Sequence, residues 1–416
     1  MEKVIKFRRD LHQMAETDFL EWLTFDYILE TLKDIKAQFK FLDISPIEAM
    51  RYLGDIKEDC FYRSSIAHDA ILPVVKITFN LNDEGVHTAI RCDLDGLPIE
   101  ESVSYDHKPF KLNFRSKKNM HACGHDAHMA ITLNTILWVN EHLEYLKKTS
   151  FKKLSFIFQC AEEGCRGARI VCASSLLDDI DELYGFHIGM GLKTGFLAPK
   201  VNEFLATEKF TLEFYGKKAH AGKFYEGVNV LPPMCKIIDK SLNLIDKEKM
   251  LLCNFSNIKV LGSANIIPDF ASLSAEIRAK TESDLEEFKE KISKIVKDTG
   301  VILANKKPDV IEDKVVLVCH VTGQGLPIDP CEKLYHHLKQ ALDNTDCLNE
   351  YPTTYPFKAS EDCSLLIKKV QEHGGVGTYF LLGSNIKAPH HNSQFDIDEE
   401  SLNYGAKFMQ KLLLTY

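Results

Sequence analysis

Short apolar runs that stop at polar residues and glycine recur along the first 200 residues, with helical periodicity between them. The run "HTAIRCDLDGLP" (87–98) is β-rich and closed by Gly-Leu-Pro. "KLSFIFQCAEEG" (153–164) and "ELYGFHIG" (182–189) repeat the pattern, whereas "DFLEWLTFDYILETLKDI" (18–35) places its apolar residues at helical spacing. Strands that alternate with helices predict an α/β sheet covered by helices. In such sheets function sits beyond the carboxyl ends of the strands, which is where Asp93, Glu162, Glu163 and His187 fall.

From about residue 206 the pattern changes. Strand-like "ATEKFTLEFYGK" is followed by helical "VLPPMCKIIDKSLNLI", by the long β-rich stretch "NFSNIKVLGSANIIPDFASLSAEIRAKTE", and by the helix "SDLEEFKEKISKIVKDTG". That helix sets Leu285, Phe288, Ile292 and Ile295 on one stripe; Ser283 with Glu286 reads as its capping box and Gly300 as its stop. A last β segment, "KVVLVCHVT", completes a βαββαβ order and predicts a small ferredoxin-like sheet with two helices on one face. Beyond about residue 325 helix and strand alternate again. The expected division is a catalytic domain from 1–205 and 325–416, with 206–324 as an inserted lid or dimerisation domain; 416 residues also exceed what one small core organises.

Composition narrows the function classes. A hydrophobic content of 45% and a charged content of 27% are those of an ordinary folded protein. With 51 basic and 60 acidic residues the formal charge is −9, and no Lys/Arg run is long enough to track phosphates, so nucleic acid is not an expected partner. Apolar stretches such as "HMAITLNTILWV" fall short of the roughly 18–20 residues a membrane span needs. The charged N-terminal segment does not read as a signal peptide, and the 12 cysteines are scattered singly without a CxxC pair. The expected compartment is the cytoplasm, with most thiols acting as small buried hydrophobes.

One cysteine stands apart. "HACGHDAHM" (121–129) packs three histidines, a cysteine and an aspartate into nine residues. A structural zinc clip, a cysteine nucleophile and part of a catalytic metal site all use such residues. A zinc clip needs further ligands at short regular spacing, and a thiol hydrolase needs an activating histidine and oxyanion donors; the neighbourhood has neither signature. Separate ligand types do stand at strand ends: Glu162 with Glu163, His187, and His390 with His391. Carboxylates, imidazoles and one thiolate suit Zn²⁺, Mn²⁺ or Co²⁺ rather than Ca²⁺ or Mg²⁺. If one of the paired glutamates binds metal, its neighbour is free to take a proton from a water the metal activates.

Several segments, in order and across nearly the whole chain, resemble the M20 family of metal-dependent peptidases and amidohydrolases. They are "RRDLH", "RCDLDGLP", "HACGHDAHMA", "AEEGCRGA", "HIGMG", "AHAG", "NIIPDFASLSAEIR", "SEDCSLL" and "HHNSQFDID". The similar branch holds hippurate hydrolases, indole-acetyl-amino-acid hydrolases and N-acetyl-diaminopimelate deacetylases. Within it "AETDFLEWLT", "FLATEKF" and "VQEHGG" look closest to p-aminobenzoyl-glutamate hydrolases. The resemblance implies two divalent metals, Mn or Zn, held by Cys123, His125, Glu163, His187 and His391. It implies Glu162 as the general base, and His220 as a group that polarises the scissile carbonyl, often from across a dimer. It implies Arg278 and Asn265 as holders of the substrate carboxylate, a role that suits a guanidinium fork.

Each role has a plainer rival: buried core histidines, a solvated loop carboxylate, a loop histidine, an exposed strand arginine. Asp93 and Asp126 read either as groups orienting imidazoles and the loop or as turn caps, and His128 reads as structural. The resemblance also implies His391 rather than His390 as the ligand, since the family's C-terminal motif sets the spacing from the histidine to the following phenylalanine. Cys160, where relatives carry proline, reads as a tolerated change, and Cys165 and Cys172 receive no metal role. The implied reaction is hydrolysis of an N-acyl amino acid amide, with p-aminobenzoyl-glutamate as the favoured small-molecule substrate. A broader aminoacylase or deacetylase, and a non-catalytic ligand-binding subunit, remain alternatives. The inserted domain is expected to pair with its own copy or with a related subunit.

Overall fold

The structure is a computed structural model and describes residues 2–53 and 56–416. Its larger sheet has eight strands, and four neighbouring parallel ones form the centre: Phe151–Gln159, Val86–Asp93, Glu182–Ile188 and Val376–Leu382. In chain order the first connection runs from Val86–Asp93 to one neighbour and the next crosses to the other. That reversal opens a crevice at the carboxyl ends. The strands are apolar on both sides because helices cover both faces. Ile90, Phe156 and Phe158 pack into the cluster beneath the helices His125–Glu141 and Glu400–Leu413. Ala89 and Ile157 point the other way, into the cluster that holds Ile367 and Val370.

The second sheet is drawn from residues between Ala206 and Gly325. Its strand order is Leu252–Leu261, Phe270–Ala279, Ala206–Tyr215, Val316–Gly325, Ile302–Ala304. With helices Leu231–Leu242 and Glu282–Asp298 this is the βαββαβ arrangement, with one extra short strand at the edge. The chain enters and leaves through adjacent antiparallel strands, with Thr207 opposite Gly325. The protein is therefore an α/β structure with a smaller domain inserted into the larger one.

Two local expectations are corrected. The helix expected over 18–35 spans Trp22–Leu32, because Asp18 and Phe19 adopt left-handed φ of 59° and 69° and turn the chain so that Phe19 is buried. The cap of Glu282–Asp298 is Thr281, whose hydroxyl accepts the Asp284 N–H at 3.1 Å, rather than Ser283 with Glu286. Leu285 and Phe288 are buried and Ile292 and Ile295 partly so, as the stripe predicts.

The first helix is tied to the centre of the larger domain by buried charge. Arg8 donates to Asp126 and Asp396, both at 2.7 Å, and His12 lies between Asp126 at 2.7 Å and Glu101 at 2.9 Å. Burial opposes charge on His12, but those two carboxylates outweigh it and push its pKa up to about 9. The stabilisation from charged His12 is therefore complete below its unfolded value of about 6.5 and fades as the pH rises through 9.

Candidate metal centre

Three of the four central strands deliver candidate ligands at or beyond their carboxyl ends, and the fourth, Val86–Asp93, delivers the supporting Asp93 and Asp95. Phe151–Gln159 runs into Cys160 and a turn in which Ala161 takes a left-handed φ of 54° and the Ala161 carbonyl accepts the Gly167 N–H. This turn presents Glu162 and Glu163. His187 is the penultimate residue of Glu182–Ile188. His125 opens the helix His125–Glu141 behind Gly124, whose φ is 92° and where a Cβ would meet Ile188 Cγ2 at 2.7 Å. The loop after Val376–Leu382 brings His391, left-handed at φ 63°, with its N–H on the Ala122 carbonyl at 2.9 Å.

These side chains converge. Cys123 Sγ lies 3.4 Å from His187 Nε2, and His391 Nε2 lies 3.2 Å from Glu163 Oε2. His125 Nε2 is 3.7 Å from Glu162 Oε2 and 4.0 Å from Glu163 Oε1. Donor atoms of Cys123, His125 and His187 lie within 4.8 Å of one another, and so do those of Cys123, Glu163 and His391. The two trios share the Cys123 sulfur. A third group joins His125 to Glu162 and Glu163.

The donor set fits divalent metals. His125 donates Nδ1–H to the Asp95 carbonyl at 2.9 Å, which turns Nε2 into the site as a lone-pair donor; His187 does the same through the Ile188 carbonyl at 2.8 Å. Yet buried His125 Nε2 and Glu163 Oε1 have no hydrogen-bond partner, a cost that a coordinated cation would remove. Burial and the charges of Glu163 and Glu162 push the Cys123 thiol well above its ordinary pKa. A divalent cation at the same spot reverses that field, since a coordinating thiol is deprotonated. Burial lowers and the Asp93 and Asp95 carboxylates raise His125, to about 10, while burial with His128 and His390 holds His187 well below its usual value.

The neighbours sort into supports. His128 has both nitrogens engaged, Nδ1 with Asp93 at 2.7 Å and Nε2 accepting the Ile188 N–H at 2.9 Å, so it is not available as a ligand. His390 lies 3.3 Å from the Ile188 carbonyl and packs near Phe395, leaving His391 in the cluster. Asp126 spends its oxygens on Arg8, His12 and the Ala127 N–H, so it anchors the loop and does not orient a site imidazole. Asp95 carries no local signal of its role, although it lies in "RCDLDGLP". Its carbonyl fixes His125, and its Oδ2 accepts the Glu163 N–H at 2.9 Å.

A second support is equally silent in the sequence. Buried Arg91 binds Asp93 at 2.8 Å, Glu361 at 3.2 Å and Asp362 at 2.7 Å. Glu361 and Asp362 belong to "SEDCSLL" and stand beside Glu162. Burial, then the Glu361 and Glu163 charges, push Glu162 well above the carboxylate range.

A cavity of about 700 Å³ joins this cluster to the inserted domain, and Arg278 lines it with Lys209 and Glu276. His220 and Asn265 do not line it. They lie together at the paired strands Ala219–His220 and Ile266–Ile267, both exposed. The expectation that Arg278 and Asn265 form one clamp is thus not met within a single chain: Arg278 lines the cavity from the strand Phe270–Ala279, whereas Asn265 lies in an exposed turn before Ile266–Ile267.

A sheet covered by helices on both faces, with carboxylate, imidazole and thiol donors gathered at its strand ends, defines an α/β metallohydrolase. Residues 89–415 match the family model described as Peptidase family M20/M25/M40. The chain belongs to that family, whose members of this kind hydrolyse amides. It is 28% identical over 432 residues to a Haemophilus influenzae homolog of a p-aminobenzoyl-glutamate hydrolase subunit, with 99% of each chain covered. It is also 28% identical to an indole-3-acetyl-aspartic acid hydrolase of Enterobacter agglomerans, over 100% of this chain and 95% of that one. The crystal structure of an aminobenzoyl-glutamate utilization protein from Klebsiella pneumoniae superposes with a TM-score of 0.73 at 21% identity, covering 99% of this chain and 95% of that one. No helix among the described residues is long and apolar enough to cross a membrane.

Proposed function

We propose that the protein hydrolyses the amide bond of N-acyl amino acids, with p-aminobenzoyl-glutamate as the favoured substrate, giving p-aminobenzoate and glutamate. The observation that carries this reading is the pair of donor trios sharing Cys123, with Glu162 beside them, in the cavity that Arg278 lines. Cys123, His125 and His187 would hold one divalent ion and Cys123, Glu163 and His391 the other, Mn²⁺ or Zn²⁺. Such ions supply Lewis acidity that activates water and polarises a carbonyl. Glu162 takes the proton of the attacking water and returns it to the leaving nitrogen, a sequence that suits a carboxyl whose pKa its surroundings raise. Arg278 holds the amino acid carboxylate. Leu97, Met190 and Phe357 give the cavity an apolar wall for the acyl group. The names of the two relatives share an aromatic acyl group and an acidic amino acid, which also supports a broader acyl range as the second reading.

The test is release of p-aminobenzoate by the purified chain alone with Mn²⁺ or Zn²⁺ added and a chelated control. Metal-dependent release is expected. Its absence in protein shown to contain metal, on this and on acetyl, benzoyl and indole-acetyl amino acids, would make a non-catalytic, ligand-binding role the better account.

The reading divides the chain into a catalytic domain of 1–205 and 325–416 and an inserted lid or dimerisation domain of 206–324, which pairs with its own copy or a related subunit. Support comes from the exposed Phe224, Ile258 and Leu261 and from the edge strand Leu252–Leu261, which has one neighbour. If His220 serves the partner's site, His220→Ala and Glu162→Gln proteins are each inactive, but mixing and reassociating them regains about a quarter of wild-type activity. No regain from a mixture shown to form mixed dimers would end that role for His220.

A further inference from the structure

Beside Arg278 the cleft holds a cation, Lys209, that the amide chemistry does not use. On the strand Ala206–Tyr215, Lys209 stands directly opposite Glu276 of Phe270–Ala279, while Arg278 stands opposite Thr207. Alternate residues of a strand share a face, so Lys209 and Arg278 are diagonal neighbours on the cleft side of the inserted sheet, roughly 7–8 Å apart at their origins. Arg278 already occupies Glu276, with Nη2 to Oε1 at 2.9 Å. The Lys209 ammonium is 3.8 Å from that same oxygen, beyond hydrogen-bond reach, and its direct contact is the Glu163 carbonyl at 3.2 Å. That contact sets the ammonium one residue from Glu162.

An ammonium has three N–H donors, and the Glu163 carbonyl takes one. Lys209 is largely enclosed, with 24% of its side chain exposed, and its nearest carboxylate, Glu276 at 3.8 Å, lies too far to hydrogen-bond, so two of its N–H donors have no direct acceptor among the described residues. A plain cross-strand ion pair would place Lys209 on Glu276; Arg278 holds that carboxylate instead. An amino acid leaving group branches at its α-carbon, next to the nitrogen that Glu162 protonates, into the α-carboxylate and the side chain. Two adjacent cations then meet two branches.

The geometry points to Lys209 as the residue that reads a second carboxylate, on the side chain of the leaving amino acid, so that the cleft selects N-acyl dicarboxylic amino acids over those with neutral side chains. This rests on the amidohydrolase reading above, in which Arg278 takes the α-carboxylate.

The experiment compares p-aminobenzoyl-L-glutamate with its neutral isostere p-aminobenzoyl-L-glutamine on metal-loaded full-length protein, wild type, Lys209→Met and Lys209→Arg. The wild type should favour the glutamate conjugate by about 10- to 100-fold in kcat/KM, the scale of a charge-assisted hydrogen bond. Lys209→Met should erase that ratio through KM, and Lys209→Arg should keep most of it. Equal losses of Lys209→Met on both conjugates, or a wild type without preference, would overturn the assignment. A binding arm separates this from failure of the amidohydrolase reading: calorimetry with L-glutamate and L-glutamine needs no turnover. If neither conjugate is cleaved, the hydrolytic reading falls, while a glutamate preference that Lys209→Met abolishes still sustains Lys209 and equal binding in the wild type still refutes it.

Discussion

Glu162→Gln lowers kcat/KM by about 10²- to 10⁴-fold while the protein keeps its metals, the scale of removing a positioned general base. The two adjacent glutamates differ in what surrounds them. Glu163 reaches His391 at 3.2 Å, its N–H is held by Asp95, and it belongs to a trio with Cys123. Glu162 is buried and faces the carboxylates Glu361 and Asp362; burial first, and then those charges, favour a bound proton on it. Glutamine matches the shape of Glu162 and cannot carry that proton. Metal content and turnover measured on the same preparation check the result. Loss of metal together with activity would instead make Glu162 a ligand, through the group it forms with His125 and Glu163; unchanged turnover would remove it from the mechanism.

Cys123→Ala costs both metals, because its sulfur is the one donor common to the two trios. Groups that only orient ligands change metal affinity by about 10- to 100-fold, so loss of a shared ligand exceeds that range. His391→Ala, which touches one trio, should leave one ion bound. Metal-to-protein ratios after dialysis distinguish the two variants. A Cys123→Ala protein that retains two ions would sink the shared-thiolate arrangement, and one that retains them without activity would favour a thiol nucleophile. Alkylation of wild type gives an independent check, since a thiolate held by metal is protected and a nucleophile is not.

The parts legible in the sequence were those that local order controls. Period-two and period-3.6 apolar patterns reflect which face of an element is buried, so the alternating sheet, the βαββαβ insertion and the strand ends carrying Glu162, Glu163 and His187 could be read directly. Terminal detail was less legible: Thr281 and Ser283 are both competent caps, and the φ of the entering chain decides between them. Asp95 escaped because its role is a backbone carbonyl and one carboxylate oxygen aimed at residues 30 and 68 positions away.

Architecture and ligand types were thus written into the chain segment by segment. Side-chain chemistry and burial periodicity belong to each segment, and they survive without knowledge of partners. Which groups stay free was settled only in three dimensions. Arg91 meets Asp362 across 271 positions, burial and then the neighbouring carboxylate charges raise Glu162, and Asn265 falls in an exposed turn away from Arg278 while strand register places Lys209 next to Arg278. Electrostatic and hydrogen-bonding outcomes depend on distance in space, and only folding sets that distance.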